Sequence, residues 1–416
     1  MGCLASVQPG IPESADFFKK YALGKKIGEG AFGQVRLATH INTKAVFAVK
    51  IADVRERAVN GKAAVVVSSR RQGSVEREIR AWQMASTGSI PEITHLLEPF
   101  YSSGFYYMVC ELCNKNLMQH LLHVKTISEE ELGDLTAQML RAIGHVHKVG
   151  LVHRDIKPEN FLFGGDVLKL CDFGLALPQP KRGKKLKGIG GTAPYMAPEI
   201  LVQASWLSGG YDKEIDMWAV GVILYLVLFG RFPYMPPGEA TADSMKWAIK
   251  NDQPPLQFPE SQASAALGMV RRLLKRRPQD RATAEQAQLD PFVAKATSSE
   301  ARDLRVSVLQ AKEVAERLKD FKVSQSTQQD LESRLKMVTA KSGGIWFSEG
   351  DEAVVTPQHS LTNSVASRAD ARIKTDKKPV SRDKFGTHSG VVSEQKQEYQ
   401  DFPAKAEAIA EEPHDL

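Results

Sequence analysis

Cysteine is scarce in this chain, with four in 416 residues, at positions 3, 110, 113 and 171. So few and so scattered, they build no disulfide framework and suit a reducing compartment. No second ligand cluster accompanies Cys110 and Cys113, so no zinc site is expected. Long hydrophobic runs are missing too: none reaches the roughly 18 residues a membrane-spanning helix needs. The longest candidate, residues 215–232, contains Asp216 and reads as a buried core helix. No secretory signal peptide, internal repeat or D-x-[DN]-x-[DN]-G calcium loop is found. Charge of one sign is lacking as well. A net +6 is modest, and no nucleic-acid partner is expected from it. Hydrophobic content of 42% with 25% charged residues is enough for an ordinary packed core.

What is present is concentrated between Val152 and Glu199. His153-Arg154-Asp155-Ile156-Lys157-Pro158-Glu159-Asn160 is followed by Asp172-Phe173-Gly174 and then by Ala197-Pro198-Glu199. Phosphoryl transfer needs neutralised anions, a placed metal and an oriented nucleophile more than covalent chemistry. Asp155 can accept a hydroxyl proton, and Lys157 can neutralise the transferring phosphate. Asn160 and Asp172 are oxygen donors of the kind Mg²⁺ prefers. Upstream, Ile27-Gly28-Glu29-Gly30-Ala31-Phe32-Gly33-Gln34-Val35 is a glycine-rich turn whose backbone amides can reach phosphates. A lone G-x-G-x-x-G could equally be a Rossmann turn. Here a strand pattern follows it instead of a helix, which favours a phosphate-covering hairpin. Ala45-Val46-Phe47-Ala48-Val49-Lys50 then ends an apolar strand on a lysine that can reach the same phosphates. A helix over residues 74–84 offers Glu76 and Glu78 as carboxylates to hold it.

At the start, Met1-Gly2-Cys3-Leu4-Ala5-Ser6 fits the M-G-x-x-x-[ST] pattern for myristoylation of Gly2. One myristoyl chain gives only marginal membrane binding, about 10⁴ M⁻¹, so Cys3 is expected to carry a palmitoyl group as second anchor. A peripheral position on the cytoplasmic membrane face is the expectation.

Together these motifs resemble the eukaryotic serine/threonine protein kinases over residues 21–292. Lys157 and Gly191-Thr192-Ala193-Pro194-Tyr195 point to the serine/threonine class rather than the tyrosine class. Residues 211–224 look like the calcium/calmodulin-dependent kinase group, most like its calcium-dependent kinases but without EF-hands. The resemblance implies an α+β, bilobal protein-kinase fold, with a small β-rich and a larger α-rich lobe. It implies ATP and Mg²⁺ as cofactors and protein Ser/Thr hydroxyls as acceptors. It also implies catalytic roles for Asp155, Lys157, Lys50 and Glu78, which fits the family's helix pattern better than Glu76. Nucleotide contacts would come from residues 27–35, Ala48, Lys50, Glu111 and Cys113, with Cys110 limiting access behind the nucleotide. Asn160 and Asp172 would hold the metal, and Glu199 would pair with Arg281. A kinase-fold scaffold without catalysis is the alternative, and the presence of Lys50, Asp155 and Asp172 speaks against it.

Three departures stand out. No Ser, Thr or Tyr lies between Gly174 and Thr192; Lys181, Arg182, Lys184, Lys185 and Lys187 make that stretch basic instead. That run is either a solvated face or a dock for something anionic. Asn114-Lys115-Asn116-Leu117 replaces an acidic substrate-binding segment. No calcium-binding lobe is expected. The expected organisation is a flexible acylated leader over 1–20, a kinase domain over 21–292, a helical regulatory junction over 293–342 and a disordered tail over 343–416. Five strands and one helix are expected in the small lobe, with a mobile connection over residues 55–73. Residues 304, 308, 311, 315 and 318 recur at helical spacing. Glu313, Glu316 and Asp320 dilute the basic face of that helix, which argues against calmodulin binding.

Overall fold

A computed structural model describes residues 15–30, 33–56, 67–88, 90–124, 126–202, 209–258, 264–293 and 303–305. Gly2, Cys3, Ala31, Phe32, most of the connection before the first long helix and residues 306–416 lie outside the described residues.

The small lobe comprises α1 (Ala15–Lys20), β1 (Tyr21–Gly30), β2 (Gly33–His40), β3 (Val46–Asp53), α2 (Ser69–Ala85), β4 (Leu96–Ser102) and β5 (Phe105–Cys110). The strands form an antiparallel sheet in the order β1-β2-β3-β5-β4, as expected of a five-strand lobe with one inserted helix. Period-two alternation divides it into two faces. Val49 and Ile51 join Phe100, Phe105 and Tyr107 on the outer face, in one apolar cluster. Ala48 and Ala52 join Met108 and the α2 residues Val75, Ile79 and Trp82 on the inner one.

The outer cluster corrects the expected leader. Phe17 and Phe18 are 0% and 5% exposed, and Phe17 stacks on Tyr107 with ring centroids 4.5 Å apart. Two adjacent phenylalanines bury enough apolar surface to fold Ala15–Lys20 onto the sheet. The connection before α2 is also shorter than expected. Arg55 bridges Val67, Ser68 N–H donates to Val54 O at 2.8 Å, and the helix begins at Ser69 rather than residue 74.

The large lobe holds α3 (Leu117–His123), β6 (Thr126–Ser128), α4 (Glu129–Lys148), β7 (Leu151–Val152), β8 (Phe161–Gly164), β9 (Val167–Leu170), β10 (Leu177–Pro178), α5 (Pro198–Leu201), α6 (Glu214–Phe229), α7 (Ala242–Asn251), α8 (Ala265–Leu273) and α9 (Ala284–Gln288). Helix α4 starts where the Ser128 hydroxyl accepts Glu131 N–H at 3.0 Å. Three glutamates in its first turn and His145, His147 and Lys148 in its last suit the helix dipole. Helix α6 is apolar on all sides and stops at Gly230, whose φ of 65° is left-handed. It forms the centre of the lobe, with Trp218, Val220 and Leu224 fully buried. Among the described residues no helix is long and apolar enough to cross a membrane. A last strand, β11 (Asp303–Arg305), pairs antiparallel with β6. That corrects the helix expected to include Leu304: a free edge at Thr126–Ser128 supplies ladder partners that helical spacing cannot reveal.

Candidate active site

The sheet register builds the roof of the cleft. Val35 lies opposite Lys50, Lys50 opposite Met108, and Ala48 opposite Cys110. Gly33 is required by this sheet: a Cβ there would sit 1.8 Å from the Ile51 carbonyl oxygen. Gly28 has no such constraint, since its Cβ would meet Val35 only at an ordinary 3.5 Å. Gln34 falls on the outer face by alternation, where it is 1% exposed and its Oε1 accepts from Arg36 at 3.3 Å. Its side chain is therefore directed away from the cleft, which leaves only its backbone to face a nucleotide. Glu29 pairs with Lys26.

Lys50 Nζ donates to Glu78 Oε1 at 2.6 Å and to Asp172 Oδ1 at 2.9 Å. Glu76, the other carboxylate weighed for this contact, accepts instead from Tyr106 and Gln72. Burial alone would lower the Lys50 pKa, but the Asp172 and Glu78 carboxylates outweigh it and raise it above the ordinary lysine value. The Lys50 ammonium in turn holds the Asp172 carboxyl well below the usual carboxylate range. Phe173 anchors the segment behind Asp172: it is fully buried, 6.3 Å from the Trp82 ring and 5.2 Å from His153.

Below the cleft, Lys157 Nζ donates to Asp155 Oδ2 at 2.7 Å and to Thr192 Oγ1 at 3.0 Å. Thr192 donates its hydroxyl to Asp155 Oδ1 at 2.7 Å. Asn160 Nδ2 donates to the Asp155 carbonyl oxygen at 2.8 Å and to its Oδ2 at 3.2 Å. Burial works to lower the Lys157 pKa, and the Asp155 carboxylate more than reverses that.

One organising residue was missed as such in the sequence. Asp216, in α6 and 1% exposed, accepts the backbone N–H of His153 at 2.9 Å and of Arg154 at 2.8 Å, and bonds the His147 ring at 2.9 Å. It holds Arg154 at a left-handed φ of 71°, a backbone state that costs about 1–3 kcal/mol in a non-glycine residue. An acid inside an otherwise apolar helix was the available signal, because a buried carboxylate survives only with partners. Arg281 Nη1 donates to Glu199 Oε1 at 2.7 Å and to the Glu214 carbonyl oxygen at 2.7 Å.

At the hinge, Glu111 and Cys113 follow β5. The Glu111 carboxylate faces away from the cleft, accepting His95 N–H at 2.9 Å and pairing with Lys169 at 3.0 Å. Burial pushes the Cys113 thiol up to about 12, and raises Cys110 and Cys171 as well. All three thiols are unbonded to one another. The residues standing in for an acidic segment have a structural use, for Asn116 caps α3 in a reciprocal pair with Gln119.

The donor set fits a hard cation. Asn160 spends its amide on Asp155, leaving Oδ1 available, and Asp172 bonds Lys50 through Oδ1, leaving Oδ2. No group of three or more His, Cys, Asp and Glu side chains forms a metal cage among the described residues. Two oxygen donors are what Mg²⁺ takes when phosphates and water complete its octahedron.

Residues 21–293 match the sequence model of the family described as "Protein kinase domain". The chain is 32% identical over 303 residues to the phosphorylase b kinase gamma catalytic chain, liver/testis isoform, of Bos taurus, covering 71% of this chain and 72% of that one. It is 28% identical over 348 residues to calcium/calmodulin-dependent protein kinase type II of Caenorhabditis elegans, covering 82% of this chain and 45% of that protein. A Xenopus tropicalis hormonally up-regulated neu tumor-associated kinase homolog is 32% identical over 272 residues, covering 64% and 36%.

Proposed function

Because this chain belongs to the protein kinase domain family, and is a serine/threonine kinase of the calcium/calmodulin-dependent group that uses ATP and Mg²⁺, we propose the following division of labour among its residues. Asp155 accepts the proton of the substrate hydroxyl as that oxygen attacks the γ-phosphorus and the bond to the β–γ bridging oxygen breaks, releasing ADP. Lys157, bonded to Asp155, offsets charge on the transferring phosphoryl group. Lys50, oriented by Glu78, grips the nucleotide phosphates from the roof. Asn160 and Asp172 would hold Mg²⁺ through their free oxygens, and the ion would supply neutralisation of phosphate charge. Backbone amides of residues 27–35 cover the phosphates, while Ile27, Val35 and Ala48 enclose the base and the backbone of Glu111 and Cys113 meets its edge.

The observation that carries this reading is the pair of closed contacts: Lys50 to both Glu78 and Asp172, and Thr192 and Lys157 both to Asp155. The segment between Gly174 and Thr192 has no Ser, Thr or Tyr to carry a phosphate, so the kinase works without phosphorylation of that loop. The test is [γ-³²P]ATP transfer to a serine peptide by the full chain and by its Asp172→Ala variant. Transfer by the first and none by the second supports the assignment; equal rates would overturn it. The scaffold alternative has no support in a site whose Lys50, Asp155 and Asp172 are all present and bonded.

The N-terminal sequence supports a peripheral membrane position through myristoylated Gly2 and palmitoylated Cys3. Incorporation of an alkyne-myristate label, abolished by Gly2→Ala, tests it; a label retained in the variant would sink it. Calcium/calmodulin is expected to leave the rate unchanged, on the strength of Glu313, Glu316 and Asp320 within residues 304–322.

A further inference from the structure

The segment between β10 and Thr192 presents its basic run in a fixed position. Its start is tied by Gln179 N–H to Gly150 O at 2.7 Å. Lys184 N–H closes a turn onto Lys181 O at 2.9 Å. Leu186 and Tyr211 exchange two backbone hydrogen bonds, at 2.8 and 3.0 Å, and the Tyr211 hydroxyl donates to Gly188 O at 3.0 Å. The Arg154 guanidinium lies 5.6 Å from the Tyr211 ring centroid, so the run is joined to the residue that precedes Asp155.

Lys181, Arg182, Lys184, Lys185 and Lys187 are all exposed. Only Lys185 has an acidic partner, Asp212 at 3.5 Å; the other four form no ion pair among the described residues. A solvated structural face normally intersperses both signs, whereas this one leaves a single sign unanswered. Between Lys187 and Thr192 lie five chain steps, at most about 17 Å when extended. Because Thr192 bonds Asp155, the Lys187 end of the run stands within the reach of a short peptide whose hydroxyl is at the catalytic carboxylate. The opposite rim offers no counterweight: Asn114 and Lys115 are exposed there, and Glu159 on the catalytic loop is half-buried and outnumbered.

We propose that this basic run is a substrate-selecting subsite, which binds negatively charged side chains flanking the acceptor Ser or Thr in a protein substrate. The charge comes from carboxylates or from a phosphate the substrate already carries. The proposal deepens the kinase assignment and rests on it. A lipid surface is the less apt occupant, because a membrane laid on the run would cover the approach to Asp155.

The test uses the full chain and serine peptides identical except for flanking Asp/Glu, phosphoserine, Ala or Lys/Arg. The acidic peptide is expected to exceed the alanine peptide in kcat/KM by about ten-fold, as several exposed ion pairs together supply. The preference should shrink with added salt. It should vanish in K181A/R182A/K184A/K187A, with alanine-peptide turnover unchanged, and persist in K181R/K184R/K187R. Phosphoserine exceeding Asp/Glu would identify a pre-phosphorylated substrate as the source. Equal rates for all flanks, or a preference for Lys/Arg, would overturn the proposal. So would loss of binding to phosphatidylserine vesicles in the alanine variant with peptide preference intact. Anisotropy of a fluorescein-labelled acidic peptide reads the subsite without catalysis. Binding lost in the variant, with no turnover of any peptide, would count against the kinase assignment and for the subsite; absence of binding would count against the subsite.

Discussion

The catalytic loop and the basic segment that follows it use charge in opposite ways. Around Asp155, the acid, Lys157, Asn160 and Thr192 bond to one another in a half-buried network. In residues 181–187 four of five cations are exposed without an acidic partner. Pairing a charge under partial burial fixes an atom's position and restricts its protonation, which is what chemistry requires. Leaving charges paired only with water contributes little to stability, and keeps them available to a partner. One fold thus separates what must stay fixed from what must recognise something else.

The comparison breaks first at the catalytic carboxylate. Replacing Asp155 with Asn should lower peptide phosphorylation by about 10²–10⁴-fold. Affinity for a fluorescent ATP analogue should stay near wild type, and a loss of nucleotide binding instead would show that Asp155 mainly supports the loop. Arg281, whose side chain is wholly buried against Glu199, tests pairing as a structural device. Arg281→Ala should cost about 3 kcal/mol in urea unfolding, because it strands a mostly buried carboxylate.

The two glycines of the nucleotide hairpin should separate in the same way. Gly33→Ala is expected to destabilise the small lobe by about 1–3 kcal/mol through its clash with the Ile51 carbonyl. Gly28→Ala should leave the melting temperature unchanged and raise KM for ATP. Smallest is a negative effect at the cleft thiols. Burial raises the Cys113 pKa to about 12, so below that pH the group is a neutral thiol and a poor nucleophile. Iodoacetamide at pH 8 should alkylate it far more slowly than free glutathione. Rapid modification at pH 7 would contradict the burial argument.

Much of this was legible in the sequence because the chemistry is written in local runs. The five-strand sheet, the large helical lobe and the residues of the catalytic loop could be read from apolar periodicity and motif spacing. Choosing Glu78 over Glu76 needed the resemblance, since both sit on one helix and only the fold shows which meets Lys50. Thr192 and Asp216 were present in quoted motifs, yet their bonds to the catalytic loop span 37 and 63 residues of sequence and left no local trace. Strand alternation places the Gln34 side chain on the outer face, so its expected part in the nucleotide loop rests on its backbone alone. Helix α1 escaped because six residues carry too little periodicity, and only the aromatic surface of β4 and β5 makes Phe17 and Phe18 a core.

The central claim is that the catalytic network is complete without phosphorylation anywhere on the chain, the loop between Gly174 and Thr192 having no residue to carry a phosphate. Its most direct test is the initial rate of phosphate transfer to an alanine-flanked serine peptide, before and after exhaustive treatment of the full chain with a broad-specificity phosphatase that is then removed. The network of Lys50, Glu78, Asp172, Asp155 and Thr192 predicts equal rates. A fall to background, restored by an upstream kinase, would contradict it.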